Sequence, residues 1–135
     1  MFNNVHHVHY VVHNRDEMVA YMEKNFGLKP TKLEDLGDRG KDALYQVGPT
    51  LIEITEPADF SSGIGEHLQK NGPGVYHVSW AVDNIRQVAK DLMANGNRLR
   101  GETGVTQSPR GYQAANINVE DSHGLWFQMS EGDAK

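Results

Sequence analysis

The sequence predicts an α+β fold made of two tandem β-α-β-β-β modules, and three of its features carry that prediction. The first is an internal repeat: laying residues 5–30 over residues 75–100 pairs Val5 with Val75, His7 with His77, Val8 with Val78, Val12 with Val82, Asn14 with Asn84 and Asn25 with Asn95. The second is that both copies share a local grammar of strand, cap, helix and stop. The third is that each copy continues into further extended stretches.

The elements follow in order. Residues 5–12 are rich in β-formers and alternate, so Val5, His7, His9 and Val11 share one face and Val8, Tyr10 and Val12 the other. Asn14 is placed to cap a helix, with Glu17 completing a capping box; Met18, Met22 and Phe26 recur at helical spacing, and Gly27 stops the helix. Residues 43–47 and 51–56 are extended. In the second copy residues 75–82 form the strand, Asn84 and Gln87 the cap, Ile85, Val88 and Leu92 the apolar stripe and Gly96 the stop, with residues 113–119 and 125–130 extended. The domain plan is a first module at 1–57, a connector at 58–74 carrying Ile64 and Leu68 on a helical turn or two, a second module at 75–131 and a tail at 132–135. Half a chain of this size buries little core alone, so the halves are expected to pack together, in a homodimer.

Composition narrows the function classes. With 38% hydrophobic and 23% charged residues the chain reads as an ordinary globular protein. No run reaches the roughly 18 apolar residues of a membrane span. The polar, His-rich residues 1–9 lack the basic end and apolar stretch of a signal peptide. Cysteine is absent, which excludes disulfides and thiolate metal sites, and cytoplasmic residence is expected. A net charge of −5 argues against nucleic-acid partners and against a grip on anionic membranes.

Alternation within the strands then selects donors. In 51–56, Ile52 and Ile54 share one face, and Glu53 and Thr55 the other. In 125–130, Leu125, Phe127 and Met129 oppose Trp126, Gln128 and Ser130. The polar faces therefore carry His7, Glu53, His77 and Gln128, one donor on the first and one on the last strand of each repeat. Two imidazoles, a carboxylate and an amide oxygen suit one divalent cation, Co, Zn, Ni, Mn or Fe, with positions open to substrate. A single histidine on a strand is more often structural, so His6, His13, His67 and His123 are left outside the set. His9 shares the face of His7 and is expected beside the site.

At these residues the chain resembles the vicinal oxygen chelate superfamily, whose members include glyoxalase I, methylmalonyl-CoA epimerase, extradiol dioxygenases and antibiotic-resistance binders. The carriers are residues 7–12 (His-Val-His-Tyr-Val-Val), 51–57 (Leu-Ile-Glu-Ile-Thr-Glu-Pro), 75–85 (Val-Tyr-His-Val-Ser-Trp-Ala-Val-Asp-Asn-Ile) and 121–128 (Asp-Ser-His-Gly-Leu-Trp-Phe-Gln). Residues 63–74 (Gly-Ile-Gly-Glu-His-Leu-Gln-Lys-Asn-Gly-Pro-Gly) make methylmalonyl-CoA epimerase the nearest likeness within it. The resemblance implies a curved mixed sheet around a metal-binding cavity, and a divalent-metal-dependent epimerase or isomerase that removes a proton α to a carbonyl through a stabilised enolate. Position 128 departs from the pattern, because these enzymes usually place glutamate there and an amide accepts no proton at neutral pH.

Glu53 is the first candidate for the catalytic base and Asp38 the second, with Asp42 close by in the chain. The expected partner is a small-molecule substrate. An acyl-CoA would need cations for its phosphates, and Lys29, Lys32, Arg98, Arg100 and Arg110 are available, although a solvated charge is the simpler reading of each. Residues 101–111 read as a hairpin or lid. A glyoxalase I-like lyase is the nearest alternative. A metal-free small-molecule binding or resistance protein is a second, with Trp80, Trp126 and Tyr112 as stacking surfaces, although Trp80 reads better as core. An extradiol dioxygenase fits less well, since that chemistry wants two histidines and a carboxylate on the last ligand strand.

Overall fold

The computed structural model describes residues 1–134; of the 132–135 tail, Lys135 lies outside the described residues. The fold is α+β, with eight strands and three α-helices among the described residues. By contacts the chain divides into two compact units, one of His7–Tyr76 and one of Met1–His6 with the chain from His77 onward.

The first unit holds most of β1 (Asn4–Val11), then α1 (Arg15–Phe26), β2 (Lys32–Asp35), β3 (Lys41–Val47), β4 (Thr50–Glu56) and α2 (Gly63–Asn71). Its strands lie in the order β2-β3-β4-β1, antiparallel except for the parallel β4–β1 pair. Asn14 caps α1 by accepting from the Glu17 N–H at 2.9 Å. The carboxylate of Glu56, at the end of β4, accepts from the Arg15 N–H at 2.8 Å, so the last strand of the module closes the start of its helix. Gly27 ends α1 in the left-handed conformation, its N–H donating to the Glu23 carbonyl. The buried Arg15 guanidinium donates to the carbonyls of Glu34 and Asp42 and pairs with Asp16 and Asp35, which ties the helix start to β2 and β3.

One face of this sheet is apolar. Val12, Ala43, Tyr45 and Ile54 form the core, with Met18, Val19 and Met22 of α1 packed on it. Phe26 departs from the expected helical stripe: it is exposed at the last turn, edge-on to Tyr21. The segment at 58–74 contains a nine-residue helix rather than a turn or two, with Leu68 buried and the Ser62 hydroxyl capping its start.

The second unit repeats the plan with most of β5 (Gly74–Ala81), then α3 (Ile85–Ala94), β6 (Thr106–Gln107), β7 (Gln113–Asn116) and β8 (Phe127–Glu131), ordered β5-β8-β7-β6. Asn84, left-handed at φ 52°, caps α3. Glu131, at the end of β8, accepts from the N–H groups of Asn84 and Ile85 at 2.8 and 3.0 Å, the counterpart of Glu56. Ile85, Val88, Ala89, Ala115, Ile117 and Met129 make the core, and the fully buried Ile85 side chain contributes about 2–3 kcal/mol by transfer from water. Leu125 was expected on this apolar face; it precedes β8 and is exposed. Within 101–111, Thr106 and Gln107 pair with β7 as a short edge strand. The first residues of the chain also belong to this unit: Asn3 donates to the Ala81 carbonyl, Phe2 stacks on Trp80, and the His6 ring meets the Gly132 carbonyl and Tyr112. No helix among the described residues is long and apolar enough to cross a membrane.

Candidate metal centre

The polar face of each sheet carries the candidate donors. On β1 and β4, His7 stands opposite Leu51 and His9 opposite Glu53, so one face presents His7, His9, Glu53 and Thr55. On β5 and β8, Ser79 stands opposite Gln128 and Ala81 opposite Ser130, so the corresponding face presents His77, Ser79, Gln128 and Ser130. His7, Glu53, His77 and Gln128 are all buried, an unusual place for a carboxylate.

In the second unit the geometry assigns each atom. The Asn116 side-chain oxygen accepts from the indole N–H of Trp126 at 2.8 Å and from Nε2 of Gln128 at 3.0 Å. An indole nitrogen only donates, so the Asn116 atom facing it must be oxygen; the Gln128 amide then turns its NH2 to Asn116 and its Oε1 to His77. Oε1 of Gln128 and Nε2 of His77 are 3.2 Å apart. Two donors each about 2.1 Å from one cation would stand about 3.0 Å apart at a right angle and about 3.4 Å apart at the tetrahedral angle. The contact is a hydrogen bond between the two side chains, and the same spacing fits two ligands of one ion. Trp126 stacks on the His77 ring, with centroids 4.2 Å apart and planes at 26°, and fixes its orientation.

In the first unit Glu53 lies in a buried polar chain. The Thr55 hydroxyl donates to Oδ1 of Asp42 at 2.6 Å and meets Nε2 of His9 at 2.7 Å. A hydroxyl has one hydrogen, so with the carboxylate receiving it, the hydrogen between His9 and Thr55 sits on Nε2 of His9. Nδ1 of the same ring stands 3.8 Å from Oε1 of Glu53. The equivalent positions in the second unit carry Ser79 and Ser130, whose hydroxyls bond each other at 2.6 Å. Where the first unit carries His9 and Thr55 joined to Asp42, the second thus carries two hydroxyls.

Asp38 is exposed on a 3-10 turn at Gly37–Arg39, and the acid joined to the polar chain beside Glu53 is Asp42. Among the described residues there is no group of three or more His, Cys, Asp or Glu side chains that could hold a metal ion, His7, Glu53 and His77 included. Sequence reasoning missed Asn116. It alternates with the buried Ala115 along β7, but its importance comes from the register that sets it opposite Gln128. Of the cations considered for an anionic substrate, Lys29 pairs with Glu23, Lys32 with Glu34, and Arg98 with Asp121 and Glu120. The Arg98 guanidinium holds the Asp121 carboxyl below its ordinary pKa. Arg100 instead lies over the Trp126 ring, 4.6 Å from its centroid.

Comparison with solved structures gives the same fold. Methylmalonyl-CoA epimerase from Mycobacterium tuberculosis superposes with a TM-score of 0.83 at 24% identity, covering 99% of this chain and 90% of that one. A Streptomyces coelicolor methylmalonyl-CoA epimerase in complex with 2-nitronate-propionyl-CoA gives 0.83 at 20% identity over 99% and 100% of the two chains. The hypothetical protein BH1468 from Bacillus halodurans C-125 gives 0.82 at 23% identity over 97% and 95%. The sequence matches no curated protein. A family model matches residues 6–116, from the strand of His7 through β7. The chain belongs to the glyoxalase/bleomycin resistance protein/dioxygenase superfamily.

Proposed function

We propose that this protein is a divalent-metal-dependent enzyme that removes a proton α to a carbonyl, in the manner of a methylmalonyl-CoA epimerase, with His7, Glu53, His77 and Gln128 as the metal ligands. The observation that carries the reading is the His77–Gln128 pair, whose donor atoms stand 3.2 Å apart with the amide oxygen turned to the imidazole by Asn116. When bound, the cation supplies Lewis acidity for the negative charge that develops on the carbonyl oxygen.

The chain's own residues do the rest. Glu53 receives the α-proton on a carboxylate oxygen. His9, with its Nδ1 3.8 Å from Glu53, is placed to relay that proton, and Thr55 and Asp42 hold the ring in place. Asn116 keeps Gln128 from turning its NH2 toward the site. The substrate class is a small carbonyl compound or an acyl thioester; among the epimerases of the same fold, one was solved with methylmalonyl-CoA and another with 2-nitronate-propionyl-CoA.

The asymmetry between the halves favours a second reading, a glyoxalase I-like lyase. Gln128, Ser79 and Asn116 offer no proton acceptor, so a reaction that returns the proton on the face from which it left needs only the Glu53 side. Incubation with methylmalonyl-CoA in heavy water tests the proposal. Deuterium at the α-carbon, lost in Glu53→Gln, is the expected result. Full exchange by Glu53→Gln contradicts the assignment of the base. Exchange without inversion selects one-faced chemistry.

A further inference from the structure

We infer that Arg100, lying on Trp126, receives an oxyanion of the substrate and so sets its specificity; this rests on the reading of the His77–Gln128 pair as the reactive end of the site. Three observations place it. The Arg100 guanidinium lies 4.6 Å from the centroid of the same indole that stacks on His77. Its backbone N–H donates to the Asn116 carbonyl at 3.0 Å, and the preceding residue, Leu99, bridges to Ile117. Arg100 is thereby fixed to the residue whose side chain orients both Trp126 and Gln128. Finally, its neighbour Arg98 is bound by Asp121 and Glu120, whereas among the described residues no carboxylate pairs with Arg100.

A guanidinium resting on an aromatic face keeps its N–H edge outward, and stacking leaves that edge preorganised for bidentate hydrogen bonds to a planar oxyanion. A lysine there would supply charge without the fork. Against a net charge of −5, an exposed cation without a carboxylate partner, lying on the indole that stacks on His77, is the feature most suited to drawing an anion in. The shared chemistry is an oxyanion, either a carboxylate on the acyl part of the substrate or a phosphate of a nucleotide carrier.

The test follows the indole N–H signal of Trp126 in the ¹⁵N-labelled full chain, assigned with Trp80→Phe, since the chain has two tryptophans. Malonate probes the carboxylate, adenosine 3′,5′-bisphosphate the phosphate, and malonamide serves as the neutral control. One anion is expected to shift the signal in the wild type and to bind about 10- to 100-fold more weakly to Arg100→Gln, with Arg100→Lys between them and malonamide indifferent to the change. The responding anion identifies the source. Binding of both anions to Arg100→Gln within threefold of wild type overturns the inference, as does the absence of a shift with either anion in the wild type. A parallel titration with Co²⁺ judges the metal reading on its own. Failure to bind cobalt sinks that reading, while the ratio between wild type and Arg100→Gln still decides the role of Arg100.

Discussion

Replacing Asn116 by alanine probes the arrangement that orients the second donor pair. Asn116 is buried and its side-chain oxygen holds two donors, one from Gln128 and one from Trp126. Each bond contributes about 1 kcal/mol, and a buried donor left without a partner costs a further 1–3 kcal/mol. Trp126 is half-buried and its N–H can turn to water, whereas Gln128 is buried and its NH2 cannot. The expected loss is therefore about 3–5 kcal/mol. Urea unfolding measures it as a fall in midpoint at constant slope. A cycle with Gln128→Leu isolates the pair and should return a coupling of about 1 kcal/mol or more. Because Gln128 could then rotate its NH2 toward His77, metal affinity should fall about 10- to 100-fold, as when other groups that orient a ligand are lost. A stability change below about 0.5 kcal/mol together with unchanged metal affinity would refute the reasoning.

Three further predictions come from the first unit. The Tyr45 hydroxyl is buried with no hydrogen-bond partner, and burial, then the charge of Glu23, raises its pKa. The native state thus favours the neutral phenol, and this contribution is lost as pH rises from about 10, the ordinary tyrosine value, through the raised native one. Tyr45→Phe should match or exceed wild-type stability by up to about 1 kcal/mol and flatten the alkaline decline, as read by thermal melts across pH. Gly40 has φ 92°, and a Cβ there would collide with the Glu56 carbonyl oxygen, so Gly40→Ala should cost 3 kcal/mol or more, on the order of the largest single-residue effects, in the same melts. Thr55→Val cuts the link between Asp42 and His9 and should slow α-proton exchange about tenfold or more, whereas Asp38→Asn, on its exposed turn, should leave the rate within about twofold.

Much of the fold was legible in the chain because it is local. The repeat at an offset of 70, the Asn14 and Asn84 caps and the Gly27 stop each depend on residues a few positions apart. Strand alternation also fixed which side chains share a face, since a pleated backbone allows no other arrangement. The parts that stayed hidden are set by register between strands distant in sequence. Nothing near Asn116 announces that it faces Gln128, and nothing near Asp42 announces that Thr55 joins it to His9. The same holds for Glu56 and Glu131, which end their strands and cap helices 41 and 46 residues away. Phe26 and Leu125 show the limit of periodicity. It reports the side of an element a residue occupies but not where the core beneath that side ends.

The claim at the centre of the proposed function is that His7, Glu53, His77 and Gln128 bind one cation. Elemental analysis of the purified protein, repeated after stripping and reloading with Co²⁺, tests it most directly when His7→Ala and His77→Ala are carried alongside. The account predicts about one ion per chain in the wild type and its loss in both variants. Wild-type protein that holds no metal, or a His77→Ala variant that keeps a full complement, would contradict it.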